Sequence, residues 1–127
     1  MHKDVVKLLK KRAKGFLEGA RERLNAGDYD VSCFMAEQSA QLYLKALILE
    51  LSGEVPRTHS IRQLLSILST LLKKKIEFDR KSLIFLESAY NNARYLTLTY
   101  DREDAELAIS TAEEVIKLAD RACKEKT

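Results

Sequence analysis

Apolar residues recur along this chain at helical spacing. Between residues 4 and 25 they fall at 5, 9, 13, 16, 20 and 24, close to the 3.6-residue period of an amphipathic helix. Asn25-Ala26-Gly27 ends that segment, and Asp28 or Asp30 is placed to cap the next one. Residues 28–52 form a second helix whose apolar positions cover most of its circumference, the pattern of a helix surrounded by others. Gly53 stops it. Ser60 and Gln63 make an S-x-x-Q capping box, which opens a short third helix over about 60–72. Lys73, Lys74 and Lys75 close it, where cations suit the C-terminal end. Asp79 begins a fourth helix, DRKSLIFLESAYNNARYL, which weakens in 97-TLTY-100, where β-branched threonines lower helix propensity. Asp101 and Asp104 cap a fifth, with apolar residues at 105, 108, 109, 112, 115, 116, 119 and 122. No stretch alternates as a strand does. The pattern predicts an all-α fold, an up-down bundle of four long helices plus one short helix, as one domain over 1–127.

Composition narrows the class. A chain of 127 residues has room for a single core. No apolar run approaches the roughly 18 residues of a membrane span, and the N-terminus, MHKDVVKLLKKRAK, is too regularly charged for a secretory signal. Cys33 and Cys123 are the only cysteines, too few for the disulfide framework of a small secreted domain, or with two histidines for a zinc site. Reduced thiols and a cytoplasmic location are expected. The net charge of +3 is too small to argue for nucleic acid by itself. It is unevenly spread: Lys3, Lys7, Lys10, Lys11, Arg12 and Lys14 lie early, and Asp101, Glu103, Asp104, Glu106, Glu113 and Glu114 lie late. Both clusters suit solvated helix faces. Gly15 and Gly19 form a GxxxG pair that marks a close helix contact.

Candidate chemistry sits on helices that ought to be buried. On the second, Glu37, Gln41 and Lys45 at i, i+4 and i+8 lie on one line about 80° wide. On the fourth, Glu87, Asn91 and Arg94 do the same, with Tyr90 and Tyr95 beside them. Either stripe could be a wet helix face. Alternatively the two converge on a shared groove, where half-buried charges need a ligand or a second chain. The connection 54-EVPRTHSIRQLL-65 holds the chain's only proline and its only histidine outside the N-terminus. Pro56 stiffens the loop. His59 precedes the Ser60 cap, where the helix dipole and the guanidinium groups of Arg57 and Arg62 disfavour the imidazolium. A neutral imidazole in a rigid, basic site can serve an anionic ligand. The expected ligand-binding set is therefore Glu37, Gln41, Lys45, Arg57, His59, Asn91, Arg94 and Tyr95. Lys45 and the arginines supply positive charge, and Gln41 and Asn91 offer hydrogen bonds to a base or ribose.

In combination, AEQSAQLYLKALILELSGEVPRTHSIRQLL and ARYLTLTYDREDAELAISTAEEVIKLA resemble the HEPN family, the higher eukaryotes and prokaryotes nucleotide-binding domains, over about residues 5–120. The resemblance implies a helical bundle that forms a homodimer. In prokaryotes such domains are often encoded beside a minimal nucleotidyltransferase, some pairs acting as toxin and antitoxin. Ribonuclease members carry an arginine followed after four to six residues by a histidine. Arg94 matches the arginine, but Thr99 and Tyr100 stand where the histidine belongs, and no histidine follows His59. General acid–base catalysis near neutral pH needs a group that titrates there, and a tyrosine with a reference pKa near 10 is a poor substitute. The sequence thus favours a non-catalytic binding module that takes a nucleotide or RNA, or partners a nucleotidyltransferase, with no cofactor and no membrane. The alternative is a metal-independent ribonuclease with a degenerate Arg94/Tyr100 motif.

Overall fold

The structure, a computed structural model, describes residues 2–95 and 99–125, the side chains of residues 93–95 excepted. Among these residues there are five helices and no strand: α1 (His2–Asn25), α2 (Tyr29–Ser52), α3 (Ile61–Leu72), α4 (Arg80–Tyr95) and α5 (Arg102–Lys124). The all-α expectation holds. The short helix is α3, and α2 packs against all four others, while α1 touches only α2 and α5. The all-round apolar pattern of α2 has that cause.

Local chemistry sets the ends. Gly27 and Gly53 take left-handed φ of +79° and +80°, which a residue without Cβ adopts freely. At Gly53 the N–H reaches Leu49 O at 2.8 Å and closes α2. Neither candidate aspartate caps α2 through its side chain. Asp28 holds the N-cap position without a side-chain bond, and its carboxylate lies 3.7 Å from Arg23. Asp30 instead accepts the Tyr100 backbone N–H at 2.7 Å, fastening the α4–α5 connection to the first turn of α2. The α3 capping box is half formed: Ser60 Oγ accepts the Gln63 N–H at 3.2 Å. Its other half is rerouted, because Thr58 Oγ1 accepts the Ser60 N–H at 3.1 Å and donates to Gln63 Oε1. Of the three lysines after α3, Lys73 is a left-handed C-cap. Lys74 serves a different helix end, donating to the carbonyls of Ala122 and Glu125 at the close of α5. Asp79 caps α4 through Ser82, at 3.0 Å to its N–H and 2.7 Å to its hydroxyl. Asp101 and Asp104 form a reciprocal box on α5, at 2.9 and 3.0 Å.

The core gathers Leu44, Leu47, Ile61, Leu64, Leu68, Leu86 and Val115, each at most 1% exposed. Burying such a side chain is worth about 1.5–3 kcal/mol. The α1–α2 seam is built from small residues. Ala13 and Ala20 are fully buried, and their carbonyls accept the hydroxyls of Ser39 at 2.6 Å and Ser32 at 2.7 Å. Only one glycine of the GxxxG pair needs to be small. A Cβ on Gly19 would lie 2.8 Å from Met35 Cε, whereas one on Gly15 would meet nothing within 4 Å. Both cysteines are free thiols. Burial, with a contribution from Asp104, pushes Cys33 up to about 12, so it is inert. Among the described residues, no helix is long and apolar enough to cross a membrane.

Candidate functional site

The polar stripe of α2 turns inward, toward the α2–α3 loop and α4. Glu37 is fully buried and Gln41 is 4% exposed. Lys45 and Tyr90 are half-buried, and His59 remains open to solvent. A carboxylate with no water around it must be satisfied by protein donors. Glu37 Oε1 accepts Gln38 Nε2 and its Oε2 accepts Gln41 Nε2, both at 2.8 Å. Gln41 Oε1 in turn accepts Lys45 Nζ at 3.0 Å and lies 3.2 Å from His59 Nδ1. The imidazole stacks on Tyr90, ring centroids 4.8 Å apart and planes 22° from parallel. One connected chain thus runs from a buried acid through an amide to a lysine and a solvent-facing ring.

A second cluster adjoins it. Glu87, from α4, reaches the N-terminus of α3. It takes the Ser60 hydroxyl at 3.3 Å, the Arg62 N–H at 3.4 Å and Arg62 Nε at 2.9 Å. A helix N-terminus favours an anion there, so Glu87 caps α3 from another helix and holds α4 against it. Glu87 and the Arg62 guanidinium are thereby committed to each other.

The electrostatics follow from burial. Desolvation raises Glu37 to about 7, against the lowering effect of the Gln38 and Gln41 hydrogen bonds and of Lys45, and Glu87 adds to the rise. Burial holds Lys45 below the usual lysine range, offset in part by Glu37. A buried acid that titrates near neutral pH next to a ligand-accessible ring is a functional-site signature.

Of the eight residues expected at the site, Glu37, Gln41, Lys45 and His59 come together. Arg57 and Asn91 are both exposed, and Arg57 makes no ion pair or hydrogen bond to a described residue. The side chains of Arg94 and Tyr95 lie outside the described residues. Arg62 does not stand beside His59 as a free cation, because Glu87 takes its guanidinium. The expected set omitted Tyr90, Glu87 and Ser60. Their signal was present on α4, where Glu87 and Tyr90 are one turn apart, but the pairing of Glu87 with α3 spans 25 to 27 residues and leaves no local trace.

Other recesses carry less chemistry. One of about 670 Å³ beside α3 is lined by Leu65, Ser66, Ser69, Thr70 and Phe78 among others and shares only Arg62 with the cluster. Its Lys75 and Glu77 pair with each other in solvent at 3.1 Å. Among the described residues, no group of three or more His, Cys, Asp or Glu is placed to hold a metal ion. The Tyr100 hydroxyl accepts Asn92 Nδ2 at 2.6 Å and lies 2.9 Å from Ser88 Oγ, so it is built into the α4 packing.

A family model described as "HEPN domain" matches residues 6–122. The crystal structure of TT1696 from Thermus thermophilus superposes with a TM-score of 0.77 at 26% identity, covering 92% of this chain and 97% of that one. ST0689, an archaeal HEPN homologue, superposes with a TM-score of 0.68 at 24% identity, over 93% and 97% of the two chains, a likeness of fold. Nothing among the curated proteins matches.

Proposed function

The chain belongs to the HEPN domain family, and from that premise we propose that it is a non-catalytic binding module whose ligand is a nucleotide, held at the cluster of Gln41, Lys45, His59 and Tyr90. The carrying observation is the Glu37–Gln41–His59 chain. It fixes a solvent-open imidazole, stacked on Tyr90, as a rigid aromatic platform at the surface. Arg57, exposed and without an ion-pair partner among the described residues, supplies a cation at the rim for the phosphates. The module works as a homodimer. Val5 and Leu8, one turn apart near the start of α1, stay 44% and 42% exposed, apolar side chains that a second copy would cover. The alternative to a nucleotide ligand, supported by family membership alone, is a minimal nucleotidyltransferase partner, the chain being half of a toxin–antitoxin pair. The engaged Tyr100 hydroxyl supports binding over the ribonuclease reading, since that phenol would have to leave two hydrogen bonds to act.

Calorimetric titration with ATP, GTP and a short RNA tests this. Heat of binding is expected with a nucleotide, and Lys45→Glu is expected to abolish it while light scattering still reports a dimer. Absence of heat at millimolar nucleotide sinks the nucleotide reading. RNA cleavage that disappears in Arg94→Ala would replace it with the enzyme.

A further inference from the structure

Among the described residues, only Gln41 is bonded to Glu37, Lys45 and His59 at once. The two ends of its amide are distinguished from both sides. An ammonium group only donates, so the atom 3.0 Å from Lys45 Nζ must be the amide oxygen. Once ionised, above about pH 7, the Glu37 carboxylate only accepts, so the atom 2.8 Å from its Oε2 is then the amide nitrogen. Reversing the amide would set NH2 against an ammonium and C=O against a carboxylate. The oxygen carries no proton, so His59 Nδ1, 3.2 Å away, must be the donor. A neutral imidazole has one N–H. With that proton committed to Gln41, Nε2 is left as a bare acceptor on a solvent-open ring.

We propose that Gln41 sets the ligand specificity of the cluster: it clamps His59 as the Nδ1–H tautomer, and so matches Nε2 to the amino group of an adenine- or cytosine-type base rather than to a phosphate oxygen. The inference rests on the nucleotide-binding function proposed above and deepens it. A phosphate oxygen only accepts and finds no proton at Nε2. An exocyclic amino group donates and does. Of the nearby cations, Arg62 is held by Glu87 at 2.9 Å and Lys45 by Gln41 at 3.0 Å, which leaves Arg57 for the phosphates and the ring for the base. The imidazole, backed by the stacked Tyr90, offers a flat face that favours a planar partner. Glu37 is the positioning residue behind the clamp. Fully buried, it pins Gln41 in place and faces Lys45 on its own helix and Glu87 on α4.

The test reads the tautomer and the ligand separately. His2→Gln leaves His59 as the sole histidine. With 15N-labelled histidine at about pH 8, long-range 1H–15N correlation reports which ring nitrogen carries the proton. Nδ1–H is expected, reverting to Nε2–H in Gln41→Leu. Titration with adenosine and with purine riboside, the same nucleoside without the amino group, should favour adenosine by about tenfold or more. That ratio should fall toward one in Gln41→Leu. Should Gln41→Leu not fold, the wild-type tautomer and the wild-type nucleoside ratio still decide. An Nε2–H tautomer in the wild-type protein overturns the proposal even where nucleotides bind, as do equal affinities for the two nucleosides. An Nδ1–H tautomer with no nucleoside binding overturns the ligand class proposed here together with the nucleotide reading beneath it.

Discussion

The two flanks of α2 are held by different physics. Toward α1, contact is made by alanines, by Gly19 under Met35, and by two serine hydroxyls on backbone carbonyls. None of those groups titrates. Toward α3 and α4, the core leucines are joined by a polar chain on α2, Glu37–Gln41–Lys45, that reaches His59 in the loop, beside the α3–α4 bond of Arg62 to Glu87. One flank is close packing and uncharged hydrogen bonds, with its one ion pair, Lys10–Glu50 at 3.7 Å, at the solvent edge. The other keeps a desolvated acid in the interior, where an apolar residue would pack at lower cost. The difference confines the titrating contact to the α3 and α4 side.

The comparison breaks or sharpens under substitution, and pH has the largest effect. Glu37 is raised from 4.5 to about 7 in the folded chain, so the native state holds its proton longer than the unfolded state does. Stability from this group is complete below about pH 4.5 and is lost as pH rises through about 7. The loss is on the order of 3 kcal/mol. Urea unfolding at intervals from about pH 5 to 8 should show that decline, and Glu37→Gln should flatten it. A wild-type profile already flat would remove the distinction between the flanks. On the α1 side, Ala20→Leu overpacks a fully buried position and should cost about 2–3 kcal/mol. The cost should be the same at every pH of the series. Ser60→Ala removes both the α3 cap and a donor to Glu87, and should cost about 1 kcal/mol in chemical denaturation. The smallest effects separate the two glycines. Gly15→Ala should raise stability by about 0.5–1 kcal/mol. Gly19→Ala should gain less, because Met35 must move aside, and thermal melts of the pair would rank them.

Much of this was legible in the residues. Periodicity placed all five helices, and the all-round apolar pattern of α2 marked it as the central one. Charge and spacing picked out Glu37, Gln41, Lys45 and His59. Depth was not legible: three polar residues at i, i+4 and i+8 read equally well as a wet face, and only packing shows that the first is sealed from water. Long-range satisfaction was hidden as well. Asp30 was expected at its own helix end and serves Tyr100, 70 residues away. Lys74 was expected to cap α3 and caps α5. In each case a flexible side chain chose among helix ends of equal chemistry, and the choice was made by which end the fold brought near.

A helix that borders every other helix sets how the molecule opens. Amides in the middle of α2 should exchange with deuterium only when the whole chain unfolds, whereas α1, which neither α3 nor α4 touches, can detach as a unit at lower free energy. The slowest protons of α2 would then gauge global stability, and the gap between them and those of α1 would measure the grip of the alanine seam.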